Sequence, residues 1–275
     1  MRLPSLLLGF TLLAAGCAGG EGGNDTALNE VAANNAAATD ENASAPAAED
    51  AIVERKDEAL EFSYSWPAAA VAIAPLNAWL EKHAEDQYAQ AHGPAADYLK
   101  ETKGTEIPFR TYDFQQKWQV VADTPAILVM EAEGYEYTGG AHGMPFYASL
   151  IWDREAGKRL PTDDVIDIVK LSRLARDSFC EQLDKERAKK RGGPIEKSPP
   201  TSISEFNECV EMAEQQIVPI SKGGSALDAI RVIIAPYSAG PYAEGTYEIE
   251  LPVNDKLMAA VKPDYRGWFA PVGTP

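Results

Sequence analysis

The sequence predicts an α+β protein in which antiparallel sheets pack with helices. Two observations carry this reading. Strand, helix, strands, helices and strands follow one another in that order, and short hairpin turns join the strands instead of regular alternation with helices. A third observation sets where the folded part begins. Residues 18–50 are dominated by Ala, Asn, Gly, Ser, Glu and Asp, with one Leu, one Val and no aromatic residue. Such a stretch cannot bury enough apolar surface to offset chain entropy, so a disordered spacer is expected there. About 225 residues remain, enough for one large domain or two intimately packed lobes.

Residues 1–17 divide into the parts of an export signal: Arg2, an apolar run from Leu6 to Ala15, and small residues before Cys17. The run is shorter than the roughly 20 apolar residues that span a bilayer. Its ending, Leu13-Ala14-Ala15-Gly16-Cys17, resembles the lipobox of bacterial lipoproteins. That resemblance implies acylation of the Cys17 thiol, an anchor in an envelope membrane, and a folded part in the periplasm or other extracytoplasmic space. The spacer would let that part stand off the membrane.

Leu60 to Trp66 alternates aromatic and polar residues and reads as a strand closed by Pro67. Leu76, Trp79, Leu80, His83, Ala84, Gln87, Tyr88 and Ala91 then recur at helical spacing. Tyr112, Phe114, Trp118 and Val120 share one parity, Asp123-Thr124-Pro125 turns, and Ile127 to Tyr137 runs back. After Gly139-Gly140-Ala141-His142-Gly143, a third strand is expected over Met144 to Trp152. Ile168 to Lys190 reads as a helix, and Phe206, Cys209, Val210 and Ala213 share a face of a second one. Final strands are expected at Ala229 to Ala235 and Gly245 to Leu251.

The formal charge of −17 argues against nucleic acid, whose phosphates would be repelled, while a basic partner would be attracted. Three cysteines occur. With Cys17 assigned to lipid, Cys180 and Cys209 are expected to pair in an oxidising compartment and to staple a helix–loop–helix hairpin. Closing that loop contributes on the order of 3 kcal/mol in the chain-entropy model.

The three histidines are His83, His92 and His142. The first two do not share a helix face in the manner of a zinc helix, and His83 falls on the apolar stripe as a packed imidazole. His142, in the glycine-rich turn, is the one with a functional look. No nucleophile elbow, S-x-x-K, phosphate loop or dinucleotide fingerprint occurs. Thr162-Asp163-Asp164 reads more simply as a helix cap than as paired catalytic carboxylates. Tyr112, Tyr135 and Tyr137 could line a glycan-contact surface, although packed strand aromatics are the commoner use. No metal or cofactor is expected.

Tyr137-Thr138-Gly139-Gly140-Ala141-His142-Gly143, Gly157-Lys158-Arg159-Leu160, Asp163-Asp164 and the late segment Pro236 to Gly245 with Leu251-Pro252 together resemble a known family. It is the extracytoplasmic domain pair of unknown function shared by RsiV-like lysozyme-sensing anti-sigma factors and the N-terminal region of the peptidoglycan deacetylase PdaC. The resemblance implies a PdaC-like lobe over residues 51–142, an RsiV-like lobe over residues 143–255 with the cysteine hairpin, and a tail over 256–275. It also implies contact with peptidoglycan or with a basic wall-active protein such as a lysozyme-like hydrolase. Tyr137, Thr138, Gly139, Gly140, His142, Tyr237 and Tyr242 are the candidate binding surface. Neither a sigma-binding segment nor a deacetylase domain is recognisable, so a non-enzymatic binding role is expected. The alternative is a hydrolase or deacetylase using His142 with Asp153, Asp163 or Asp164.

Overall fold

The computed structural model describes residues 48–195 and 204–272, so the export signal, Cys17 and most of the spacer lie outside the described residues. The described part is α+β, with a six-stranded and a three-stranded sheet. No helix among the described residues is long and apolar enough to cross a membrane.

The first sheet contains β1 (Ala51–Lys56), β2 (Leu60–Trp66), β3 (Tyr112–Asp123), β4 (Ile127–Tyr137), β5 (Met144–Asp153) and β6 (Lys158–Leu160), paired in chain order. All neighbours are antiparallel except β2 and β3. That parallel pair departs from the expected antiparallel arrangement for a simple reason. A short helix, α1 (Ala68–Val71), and the 29-residue α2 (Ala74–Thr102) carry the chain back to the starting edge before β3 begins. The sequence reading also missed β1, whose half-polar alternation gives an edge strand little apolar signature.

The alternation of β2 explains the first core. Leu60, Phe62, Tyr64 and Trp66 are buried together with Leu76, Leu80 and Ala84 of α2. Burying each such large side chain contributes roughly 1.5–3 kcal/mol. The polar atoms are paired within this core. Trp118 Nε1 donates to the Tyr64 hydroxyl at 2.6 Å, and Tyr64 lies 2.7 Å from His83 Nδ1. Burial, then the charge of Arg159, lowers the His83 pKa. His83 is thus a half-buried imidazole packed at the edge of this core, stacked on Trp79.

In β4 the run Ile127-Leu128-Val129-Met130 is buried on both faces. Leu128 and Met130 join the α2 core, whereas Ile127 and Val129 join a second core. The second core holds β7 (Gln216–Ile220), β8 (Ala229–Ile234), β9 (Tyr247–Pro252) and the buried face of α4 (Ile168–Arg191). Arg231 of β8 reaches Glu131 of β4 at 2.6 Å, so its face of the small sheet meets the large one. A bulge in β3 frees the Val121 carbonyl, which accepts from Ser221 N at 3.0 Å just beyond β7.

Several boundaries differ from expectation. β5 and β6 complete the first sheet, which therefore extends to Leu160, past the expected division at residue 142. Strand β7 was not foreseen, because Pro219 interrupts its pattern; it is tolerated because β7 is an edge strand. The expected tail packs into the core, with Leu257, Val261 and Phe269 buried. Thr162 is not a cap: Pro161 precedes α3 (Thr162–Val165), and Asp167 caps α4 by accepting from Lys170 N.

The disulfide is present, joining Cys180 and Cys209 with Cα atoms 5.4 Å apart. The hairpin of helices is not. Cys209 lies in irregular chain between 3-10 turns at Ser204–Asn207 and Met212–Glu214. The carbonyls of Phe206, Asn207 and Glu208 accept from arginines of α4, and this arrangement replaces helical ladder bonds. The double variant C180S/C209S should unfold with roughly 3 kcal/mol less stability, given the separation of 29 residues. Urea denaturation under oxidising conditions reads the loss; an unchanged midpoint would contradict it.

Candidate functional site

The chain between β4 and β5 forms the centre of the site. Gly139 (φ 100°) and Gly140 (φ 87°) occupy the left-handed region, where an L side chain would be strained. Gly143 is required for a different reason: a Cβ there would lie 2.5 Å from the Glu136 carbonyl and from the Tyr135 ring. Side chains tie the loop to its surroundings. The Tyr137 hydroxyl donates to Gly140 O at 3.2 Å, and Gly143 N donates to the Tyr135 hydroxyl at 3.1 Å. From the segment between β8 and β9, the Tyr242 hydroxyl donates to Gly143 O at 3.0 Å.

These bonds hold His142 at the surface against two tyrosines. Its ring stacks on Tyr242 with centroids 3.9 Å apart, and Tyr237 stands 6.3 Å away at 27°. His142 Nδ1 lies 3.0 Å from Gly143 O. A carbonyl can only accept, so Nδ1 donates there, and Nε2 lies 3.3 Å from the Tyr237 hydroxyl. Tyr237 is exposed and has φ 70°, the one positive value outside glycine among the described residues. Such strain costs on the order of 1–2 kcal/mol and persists only when the surroundings impose it.

The C-terminal turns of α4 impose it. Arg187 is fully buried; its Nε donates to Ala239 O at 3.0 Å and its Nη2 to Glu208 O at 2.8 Å. Arg191 grips both oxygens of Glu244, at 2.7 and 3.0 Å, and Lys190 donates to the carbonyls of Glu244 and Thr246. Gly240 allows the close approach, since a Cβ there would meet Glu244 Oε2 at 2.1 Å. Burial alone would raise the Glu244 pKa, but the bonds from Arg191 and Tyr247 and the charges of Arg191 and Arg187 bring it below the ordinary value. For Arg187, burial is the main influence and lowers its pKa.

An open cleft of about 530 Å³ adjoins His142. Glu61 of β2, Arg110, Tyr112 and Asp113 at the start of β3, and Tyr137 of β4 contribute to its walls. Of the residues proposed from sequence, His142, Tyr237 and Tyr242 are in mutual contact, and Tyr137 shares the cleft with His142. Thr138, Gly139 and Gly140 form the intervening loop, with Thr138 exposed. The carboxylates of the alternative reading lie elsewhere. Asp153 ends β5, about 30 Å along the strand from its start beside His142. Asp163 and Asp164 follow Thr162, which contacts Ser149 about 20 Å along the same strand from Gly143. Arg187, Arg191 and Glu244 were missed. Basic residues in a last helical turn read as a solvated, dipole-favoured end, and nothing in their spacing signals burial.

Two outcomes test this geometry. Y237G should leave stability unchanged or raise it by about 1 kcal/mol, because glycine accepts the positive φ, whereas a clear loss in thermal unfolding would mean that the tyrosine contacts outweigh the strain. Glu244 has a lowered folded pKa, so its contribution is fully present above its unfolded value and is lost as pH falls through the folded one. E244Q should therefore be less stable than the parent at pH 7, with the difference closing below about pH 4.5. Equal stabilities at pH 7 would refute the ion pair's role.

Residues 53–145 match the family model described as Deacetylase PdaC. None of the curated proteins matches the chain. Among solved structures, a DUF3298 family protein from Pseudomonas aeruginosa PAO1 is 16% identical, covering 79% of this chain and 93% of that one with a TM-score of 0.43. A member of the DUF3298 family from Bacteroides fragilis NCTC 9343 is 18% identical, covering 81% and 97% with a TM-score of 0.44. The segment from β1 to the start of β5, including the whole glycine-rich loop and His142, therefore carries the match to the PdaC family.

Proposed function

We propose that this chain is a non-enzymatic, lipid-anchored binding module of a bacterial envelope, taking a peptidoglycan component or a wall-active protein at His142, Tyr237 and Tyr242. One observation carries the reading: a stack of exposed His142 and Tyr237 on half-buried Tyr242 adjoins a cleft through His142, with Tyr237 strained. Residues in sparsely populated backbone regions cluster at ligand sites. Aromatic faces bordered by hydroxyls suit the apolar faces and polar rims of sugar rings. Binding is favoured over turnover because both nitrogens of His142 are engaged by Gly143 and Tyr237, and the nearest suggested carboxylates lie far along β5. The resemblance to envelope domains and the lipobox-like Cys17 support an envelope location, and the charge of −17 favours a basic protein if the partner is one.

Titration of the mature protein with peptidoglycan fragments and with basic lysozymes is the direct test. Submillimolar binding is expected to at least one, weakened about tenfold by Y242A or H142A. Absence of binding to both rejects the reading. Palmitate labelling should mark the parent and spare C17S; an unlabelled parent recovered from cytosol removes the anchor and the envelope location together.

A further inference from the structure

We propose that the Cys180–Cys209 disulfide is a redox latch on the aromatic face: reducing it frees the chain at Phe206–Cys209 and slackens the turn that carries Tyr237 and Tyr242. The inference involves no ligand and does not rest on the binding reading above. Its route is through two arginines one helical turn apart on α4, each of which reaches two segments. Towards the disulfide, Arg187 donates to Asn207 O at 3.4 Å and to Glu208 O at 2.8 Å. Arg191 donates to Asn207 Oδ1 at 2.6 Å and to Phe206 O at 3.3 Å. Towards the aromatic face, Arg187 Nε donates to Ala239 O at 3.0 Å, and Arg191 donates to the same carbonyl at 3.5 Å while gripping Glu244. Ala239 lies inside the turn that Tyr237 N closes on Gly240 O at 3.0 Å, and Glu244 follows Tyr242 by two residues. The same two side chains thus join the disulfide segment to both sides of the tyrosine pair.

The crosslink keeps the first of these segments in place. Phe206 to Cys209 lie in a 3-10 turn and irregular chain, and Cys209 is fastened to α4 two turns before Arg187. Breaking the bond returns conformational freedom to that stretch. If the stretch leaves, Arg187, which is fully buried, loses two of its acceptors. A buried guanidinium with unmatched donors is costly, so water enters or the side chain turns away. Either change loosens its hold on Ala239 O. The φ of 70° at Tyr237 then relaxes, since such a conformation persists only where its surroundings impose it.

The disulfide can also be reached. Both cysteines are half-buried, and Cys180 lines an open cleft of about 500 Å³ together with Asp177, Glu181 and Asp184. Three carboxylates against Lys185 disfavour an anionic thiolate in acidic surroundings, so the class of reductant that fits is a dithiol in neutral or basic surroundings. Its thiolate attacks one sulfur to form a mixed disulfide and release the other cysteine. Its second thiol then resolves that bond, so Cys180 and Cys209 take up two electrons and two protons and the dithiol departs as a disulfide.

NMR on the mature protein tests this, with dithiothreitol as the dithiol and mass spectrometry to show both thiols free. Stacking of His142 on Tyr242 at 3.9 Å makes their ring signals sensitive to separation. Reduction should move the signals of His142, Tyr237 and Tyr242 and speed exchange of the Tyr237 amide by about tenfold. Reoxidation should restore both, while the rings of Tyr64 and Trp118 in the first core keep their positions. C180S/C209S should show the reduced-state signals and ignore dithiothreitol. Unmoved rings and unchanged exchange in folded, fully reduced protein overturn the proposal. Loss of the Tyr64 and Trp118 signals on reduction overturns it as well, because the change is then global unfolding and not a local release.

Discussion

Much of this molecule depends on one buried guanidinium. Arg187 has no solvent exposure, and removing such a charge from water costs several kcal/mol unless its donors are satisfied. Its nitrogens donate to Ala239 O, Asn207 O and Glu208 O and pair with Asp184. The carbonyls involved belong to two irregular segments that have no ladder of their own. A single side chain thus supplies acceptors with donors in places where regular structure does not, and it fastens both segments to the end of α4. Cys209 follows directly after Glu208, so the disulfide and the arginine restrain the same stretch of chain from two sides.

The consequence reaches the surface. Ala239 lies inside the turn in which Tyr237 N donates to Gly240 O, and Arg191 and Lys190 hold the chain from Glu244 to Thr246. Tyr242 lies between these anchors and closes on Gly143 of the β4–β5 loop. The positive φ of Tyr237 is therefore maintained by buried electrostatics some distance from the exposed ring. Such an arrangement makes the aromatic face rigid before any ligand arrives, and rigidity reduces the ordering cost of binding. The match to the PdaC family covers only one side of this assembly, residues 53–145, while Tyr237 and Tyr242 come from outside it.

Strand β4 has the corresponding role in the scaffold. Its four-residue apolar run serves two cores at once, so the six-stranded sheet is an inner layer between α2 and the smaller sheet. Arg231 and Glu131 cross the second interface beside Glu250. Burial is the largest influence on both partners: it leaves the Glu131 pKa raised, whereas the bonds and charges of Glu250 and Glu131 more than offset it and raise that of Arg231.

The sequence by itself determined the elements whose burial repeats along the chain: β2, β4, α2 and α4 were all legible, as were the glycine loop and the cysteine pair. Periodicity reports which side of an element is apolar, and a glycine pair reports a backbone that side chains resist. Only the tertiary structure decided what covers those faces. His142 and Tyr237 are 95 residues apart, and Arg187 and Ala239 are 52 apart. The parallel β2–β3 pair, the irregular path at Cys209 and the buried arginine all arise from such distant partners. Local sequence carries no record of them, because a guanidinium destined for a carbonyl in the core has the same spacing as one destined for water.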